Sequence, residues 1–364
     1  MNMKKYLIWG TGQLAEINYA TLLSTSLQEK VNIIGFVDNN KDKCGRIFKE
    51  KIVYSPNDIG EIEYDYIDIW VEKYENDIKN QLFNELCIPK DKVRSIYGEV
   101  KKEMEKNHKQ SNQEIKLFLE KVKDTPGLRV FYYDSVKKTE MYKVYKDEKN
   151  NYNYVWFEGK KLYLAKSYSQ YIKINEEDYI YDIWAEQDQN SPHLYESGEV
   201  VVKEGDILVD AGVCEGNFAL HHIDKVKKVY LIECDKEWME ALKLTFAPYK
   251  EKVVFCNKFL SNEDSETTIT LNSLVKEPID FLKMDIEGEE VAALLGAEQV
   301  LKNSLNLKCS ICAYHKKEHE KKINEILLEY GLKTEASKGY MVFIYDKEFW
   351  DYPEIRKGII RGIK

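Results

Sequence analysis

The chain has 364 residues, of which 43% are hydrophobic and 32% charged, and its formal net charge is −9. That length accommodates two domains, and the negative balance argues against nucleic acid as a substrate. No stretch approaches the ~18 consecutive apolar residues of a membrane span, and the Met-Asn-Met-Lys-Lys start lacks a hydrophobic signal core, so a cytoplasmic protein is expected.

The first hundred residues carry their own α/β pattern. Tyr6–Trp9 is a short apolar strand that runs into Gly10-Thr11-Gly12-Gln13-Leu14-Ala15 and a helix. Val31–Val37 is a second strand ending at Asp38, Tyr66–Val71 a third, and Asn76–Leu86 a helix. Gly10-x-Gly12-x-x-Ala15 with an acid after the next strand is the layout of a small nucleotide-binding fold, in which Gly10, Gly12, Gln13 and Asp38 would meet the ligand. A structural or oligomerising domain gives the same pattern, and homo-oligomerisation stays open.

Residues 1–98 therefore form one expected domain and 99–127 a connecting helix, with Ile115, Phe118, Leu119 and Val122 as its packed stripe. Pro126-Gly127 breaks that helix. Between 128 and 202 the composition turns to Tyr, Val and Phe, in patches at Arg129–Tyr133, Tyr154–Phe157 and Lys161–Leu164. This predicts a β-rich segment that covers the site of the following fold. Within it, Trp184 to Tyr195 is dense in polar and aromatic groups, and a loop of this kind is either a surface turn or a site wall. His193 is either a ring nitrogen at the site or a structural turn residue.

From 203 to 350 strands and helices alternate, with strands expected at 207–210, 229–233, 253–256, 280–285, 307–313 and 340–345. Asp235 caps a helix with Trp238, Ala241, Leu242 and Thr245 on one face, and Ile323, Ile326, Leu327 and Tyr330 mark a later one that ends at Gly331. Such alternation predicts a twisted, mostly parallel sheet that binds ligands at the carboxyl ends of its strands. The first strand ends at Asp210 in a turn holding Gly212, Glu215 and Gly216, and the second ends at Glu233. Glycines let backbone approach a ligand, and an acid at the next strand tip accepts from ribose hydroxyls. Acids around this turn would repel a pyrophosphate, yet they suit a ribose joined to a cationic amino-acid tail, as in S-adenosylmethionine.

The second cluster is Lys283-Met284-Asp285-Ile286-Glu287-Gly288-Glu289, on a strand whose tip faces the reacting group in this class of fold. Its acids could bind substrate hydroxyls, accept a proton, hold a cation or merely charge the first turn of a helix. His315 ends the next strand and suits a base for a hydroxyl, whereas His319 reads as solvated. Cys309 and Cys312 form an isolated C-x-x-C inside an apolar strand and read as buried small hydrophobes, and no metal site is assigned. The seven cysteines are dispersed and odd in number, against a disulfide framework. The last residues, 351–364, read as a solvated basic tail with Arg356, Lys357, Arg361 and Lys364.

With these residues in hand, the stretch from about 184 to 345 resembles the FkbM family of S-adenosylmethionine-dependent methyltransferases. The resemblance rests on Asp210-Ala211-Gly212 through Gly216-Asn217-Phe218, on Ile232-Glu233, on the Lys-x-Asp-x-Glu-Gly-x-Glu block with Leu294, Gly296 and Ala297, and on Ala313-Tyr314-His315-Lys316. Val213-Cys214-Glu215 departs from it, where many relatives read Ala-Asn-x. The resemblance implies a Rossmann-like α/β methyltransferase fold with a mostly parallel seven-stranded sheet, preceded by a smaller Rossmann-like domain and the β-rich insertion. It implies S-adenosylmethionine as cofactor, held by Asp210, Gly212, Glu215, Gly216, Asn217, Phe218, Glu233, Cys234, Asn257, Gln187, Ser191 and His193. Catalysis would fall to His315 or Asp285 as base, with Lys283 and Glu287 nearby. Members of the family are mostly O-methyltransferases, so a hydroxyl of a sugar, nucleotide sugar or glycan is the expected acceptor. The first hundred residues look similar to modules of enzymes that modify nucleotide sugars. An NAD-dependent dehydrogenase or epimerase working from that domain is the rival, and a non-catalytic scaffold the third reading.

Overall fold

The computed structural model describes residues 3–71, 73–134, 142–167, 179–180 and 185–364. The chain divides into two compact units, one of residues 1–132 with 342–355, the other of residues 133–341 with 356–364. Trp184 of the polar segment lies outside the described residues.

In the smaller unit, strands β1 (Lys4–Trp9), β2 (Val31–Val37), β3 (Ile47–Phe48), β4 (Lys51–Tyr54) and β5 (Tyr66–Ile69) form one sheet in the order β3-β4-β2-β1-β5. Its central pairings, β4 with β2, β2 with β1 and β1 with β5, are parallel. Leu7, Trp9, Val37, Ile59, Ile67, Ile78 and Leu82 make its core, each full burial contributing roughly 1.5–3 kcal/mol for a side chain of this size. Helices α1 (Gln13–Leu23) and α2 (Glu75–Asn80) follow β1 and β5. The connecting helix foreseen over 99–124 is two helices, α3 (Ile96–Asn107) and α4 (Gln113–Asp124), and both belong to the smaller unit. The break falls where Asn112 caps α4 through the amide of Ile115. A side chain that competes with the backbone stops one helix and starts the next.

Asp68 of β5 is 2% exposed and accepts from Trp70 Nε1 at 3.0 Å and Ile96 N at 2.7 Å. Burial dominates over these donors and pushes its carboxyl up to about 7. The folded state therefore keeps this proton to higher pH than the unfolded chain. Its contribution to stability is largest near pH 4 and is lost as pH rises toward 7. Asp68→Asn should be increasingly favourable relative to the native side chain across that window, by up to a few kcal/mol. Amide exchange of β1 and β5 at a series of pH values checks this, and a pH-independent difference would reject it.

In the larger unit, β6 (Tyr142–Lys143) pairs with β10 (Tyr179–Ile180), and β7 (Tyr145–Asp147), β8 (Tyr152–Phe157) and β9 (Lys160–Tyr163) form an antiparallel sheet. The foreseen patch at Arg129–Tyr133 forms no strand. A large sheet follows, from β11 (Ile207–Ala211) and β12 (Lys228–Ile232) to β13 (Val253–Cys256), with α5 (Asn217–His222) and α6 (Lys236–Thr245) between them. The short β14 (Phe259–Leu260) and β15 (Thr268–Ile269) pair outside that sheet, before α7 (Leu271–Leu274). Then come β16 (Phe281–Met284), α8 (Glu290–Leu295), α9 (Glu298–Asn303), β17 (Lys308–Cys312), α10 (His319–Glu329), β18 (Lys333–Ala336) and β19 (Ile359–Ile363). The order is β13-β12-β11-β16-β17-β19-β18, parallel except at β19, which runs antiparallel to both its neighbours. Strands β11, β16 and β17 are buried along their whole length, as helices on both faces of a parallel sheet require.

Two sequence expectations fail at this end of the sheet. No strand forms over 340–345. The strand is instead inside the stretch read as a solvated tail, where Arg356 and Arg361 are 7% and 4% exposed. Arg361 donates to the carbonyls of Leu194 and Tyr195, and Arg356 to those of Tyr314 and His315. A guanidinium that finds carbonyls can be buried, so the charge density did not mean solvent. The described part of the β-rich segment packs on α6, through Tyr152 and Tyr163 against Ala241, Trp238 and Leu244. It reaches the start of α6, where Ser167 N donates to Glu237.

Candidate functional site

The carboxyl ends of β11, β12, β16 and β17 bring together the residues singled out in the sequence. The turn after β11 is shaped by positive φ angles at Gly212 (72°), Cys214 (48°) and Gly216 (85°). A Cβ on Gly212 would lie 1.6 Å from the Asp285 carbonyl oxygen, and one on Gly216 would lie 2.6 Å from Leu242 Cδ2. These two glycines are therefore required by the approach of β16 and of α6, a reason within the protein itself.

Asp210 and Lys283 form an ion pair of 3.1 Å beneath this turn, their side chains 1% and 5% exposed. Lys283 Nζ also donates to the carbonyl of Gly212 at 2.5 Å. Burial alone would lower the ammonium pKa, but Asp210 and Asp285 overrule it and hold Lys283 charged. Both residues are thus struts under the glycine turn, and their charged groups are engaged with each other.

Glu233, 8% exposed, stands just beyond β12. Its Oε2 accepts from Cys214 N at 3.0 Å and its Oε1 from Asp235 N at 2.8 Å. Asn257 Nδ2 donates to the carbonyls of Glu233 and Cys234 and holds this tip in place. Cys234 is an exposed residue, and partial desolvation of its thiol, with Glu233 beside it, pushes the thiol up to about 11. Asn217 opens α5, and Glu215 lies half-buried in the turn with its carboxyl raised by desolvation. Phe218 packs inward against Tyr195, His222 and Phe281.

Asp285 is the hub of the site. Tyr195 OH donates to its Oδ2 at 2.8 Å and Tyr314 OH to its Oδ1 at 3.1 Å. His193 Nε2 lies 3.4 Å from Oδ2 and His315 Nε2 3.5 Å from Oδ1. Burial would raise the carboxyl, but His193, Lys283 and His315 hold it well below its usual range. His193 is 1% exposed, with Glu186 3.2 Å from its other nitrogen. Its ring thus lies between Glu186 and Asp285. Gln187 and Ser191, both foreseen as cofactor contacts, brace the His193 loop. Gln187 donates to His193 O and accepts from Tyr195 N, and Ser191 Oγ accepts from His193 N.

His315 is 6% exposed. Its Nδ1 is 2.8 Å from Oε1 of Glu290, and its Nε2 is 3.6 Å from Oε2 of Glu287. Glu287 itself has φ 55°, a left-handed conformation rare for a residue with a side chain. Sequence reasoning passed over Glu290, which is fully buried and also stands 3.1 Å from Nδ1 of His319. His319 is 3% exposed, so its reading as solvated was wrong. Glu289, quoted with the acidic block, is instead exposed and pairs with Lys316. Among the described residues, His193–Asp285–Cys312 and Asp285–Glu290–His315 are clusters close enough to hold an ion. In each, Asp285 already receives two tyrosine hydroxyls. Cys309 and Cys312 are buried free thiols.

In the smaller unit, Gly10 has φ 118°, and a Cβ there would meet Val71 Cγ2 at 2.5 Å. Gly12 precedes α1, and Gln13 opens it. Asp38 is engaged by its own chain, accepting from Thr11 Oγ1, Asn40 N and Lys43 Nζ.

Comparison with known proteins gives two family matches. The model described as C2185-like, N-terminal matches residues 2–94, and that of the Methyltransferase FkbM domain matches residues 130–334. Among solved structures, the chain is similar to the methyltransferase FkbM of Methylobacillus flagellatus KT, with 13% identity, a TM-score of 0.52 and coverage of 99% of this chain and 90% of that one. Fibrillarin of Methanococcus jannaschii is 18% identical, with a TM-score of 0.33 over 63% of this chain and 98% of its own. A Streptococcus mutans methyltransferase structure in complex with SAH is 13% identical, with a TM-score of 0.32 over 45% of this chain and 91% of its own. No curated protein matches the chain.

Proposed function

Because the chain belongs to the FkbM methyltransferase family, we propose that it is an S-adenosylmethionine-dependent O-methyltransferase whose acceptor is a hydroxyl of a sugar, free, nucleotide-linked or within a glycan. The observation that carries the reading is Glu233, a buried acid at the β12 tip whose oxygens are aimed by the amides of Cys214 and Asp235. The two amides fix the direction of the carboxylate and leave further lone pairs for the two ribose hydroxyls. The glycine turn and the acids Glu215 and Glu233 suit a ribose with a cationic tail and would repel a pyrophosphate.

S-adenosylmethionine, when bound, supplies an electrophilic methyl group on a sulfonium and leaves as a neutral thioether. The chain's own residues do the rest. Glu233 would hold the ribose, and the turn from Gly212 to Phe218 would take the methionine portion. His315 Nε2 would take the hydroxyl proton that the acceptor gives up on methylation. Asp285 orients His193, Tyr195, Tyr314 and His315 around the acceptor position. The dehydrogenase alternative gains no support, since Asp38, its ribose acid, is taken up by Thr11, Asn40 and Lys43.

Calorimetric titration with S-adenosylhomocysteine, with NAD and a UDP-sugar as parallel ligands, tests this. Micromolar binding is expected for S-adenosylhomocysteine. Glu233→Ala should weaken it about 100-fold, two charge-assisted hydrogen bonds at roughly 1.5 kcal/mol each. Unchanged affinity in that variant would remove the ribose assignment, and binding of NAD in place of S-adenosylhomocysteine would remove the methyltransferase reading.

A further inference from the structure

We propose that Glu290 is a positioning residue of methyl transfer, fixing His315 with its proton on Nδ1 so that Nε2 carries the lone pair that receives the acceptor's proton. The inference rests on the methyltransferase reading above and deepens it.

Glu290 is the first residue of α8 and is fully buried. A carboxylate there is costly unless it is paired. Its Oε1 faces His315 Nδ1 at 2.8 Å, and its Oε2 faces His319 Nδ1 at 3.1 Å. The same Oε1 accepts from Ile286 N at 3.0 Å, which ties the side chain to the turn carrying Asp285 and Glu287. One carboxylate therefore sets both the ring of His315 and the backbone that presents the two acids opposite it.

A carboxylate accepts and never donates when ionised, and the nearer one is at Nδ1, 2.8 Å against 3.5 and 3.6 Å at Nε2, so the single hydrogen of the neutral ring sits on Nδ1. In neutral His315 that leaves Nε2 bare, and Nε2 is the nitrogen turned toward Asp285 and Glu287, at 3.5 and 3.6 Å. When Nε2 takes a proton, the imidazolium charge forms beside Glu290, as a buried acid behind a catalytic histidine requires. The groups facing His315 are Asp285 from the end of β16, Glu287 from the following turn, Glu290 from α8, His319 from α10 and the ring of Tyr314. Arg356 donates to its carbonyl, and Lys316 is paired with Glu289. Burial would lower the His315 pKa, yet the carboxylates raise it, while the two histidines hold Glu290 down to about 2.

Long-range proton–nitrogen NMR of the full ¹⁵N-labelled chain, with His315→Asn to assign the signals, reads the tautomer and the titration directly. The native chain should show neutral His315 protonated on Nδ1. Glu290→Gln should lower the His315 pKa by about one unit or more, and Glu290→Asp should restore part of it. The acidic limb of the methyl-transfer rate profile moves down by the same amount, with kcat reduced and the cofactor KM held. Nε2-protonated His315 in the native chain, or an unmoved titration in Glu290→Gln, overturns the inference. If Glu290→Gln does not fold, the native tautomer alone decides. Failure of the native chain to bind S-adenosylhomocysteine would instead strike the functional reading, which the NMR result does not depend on.

Discussion

Lys283→Met should cost the larger unit roughly 3–5 kcal/mol, because it leaves Asp210 buried without its counter-charge. The lysine side chain is 5% exposed and the aspartate 1%, so solvent cannot take over the partner's role. The loss extends past the ion pair, since Lys283 also ties down the carbonyl of Gly212. Urea unfolding of the full chain, followed by amide exchange in β11 and β16, gives the number. Adding Asp210→Asn should recover part of it by removing the stranded charge. A single-variant loss below about 1 kcal/mol would mean that Asp210 is neutralised at little cost, and the strut would not be an ionic one.

Gly212→Ala comes next in size. The residue has φ 72°, which alone costs an L-residue about 1–2 kcal/mol, and its new methyl would sit 1.6 Å from a backbone oxygen of Asp285. Backbone cannot swing aside as a long side chain does, so β11 and β16 must part at their tips, adding roughly 1–3 kcal/mol. Gly205 is the internal control, with φ 80° and open space where a Cβ would go. Gly205→Ala should show the conformational part alone, and Gly212→Ala should exceed it and weaken S-adenosylhomocysteine binding. Equal losses in denaturant midpoint would show that the contact relaxes freely.

How much of this was readable in the chain depends on whether the signal was local. The buried parallel strands were, because Ile207–Ala211 and Phe281–Met284 are apolar runs between turn residues. Glu233, Asp285 and His315 could be placed near strand tips for the same reason, each following such a run. The burial of Glu290 was hidden in a dense run of acids, where charge usually means a solvated helix start. Only the folded chain shows that His315, from the turn after β17, and His319, at the start of α10, converge on it. Gln187 and Ser191 have the right chemistry for a ligand, yet bond to the loop that carries His193 and Tyr195. Hydrogen-bonding capacity in a sequence does not say whether the partner is a cofactor or a neighbouring amide. Arg356 and Arg361 misled for the opposite reason, since charge was taken as exposure while each guanidinium was satisfied by carbonyls inside the fold.

The placement of β19 between β17 and β18 bears on how the molecule is made. A ribosome delivers β18 before the strand that joins it to the sheet exists. The chain then departs for residues 342–355, which complete the smaller unit, before returning with β19. The larger unit therefore receives β19 only after residues 342–355 of the smaller unit have been made. Until then the β17 edge is bare and open to pairing with another nascent chain, which makes this edge the place where misassembly would begin.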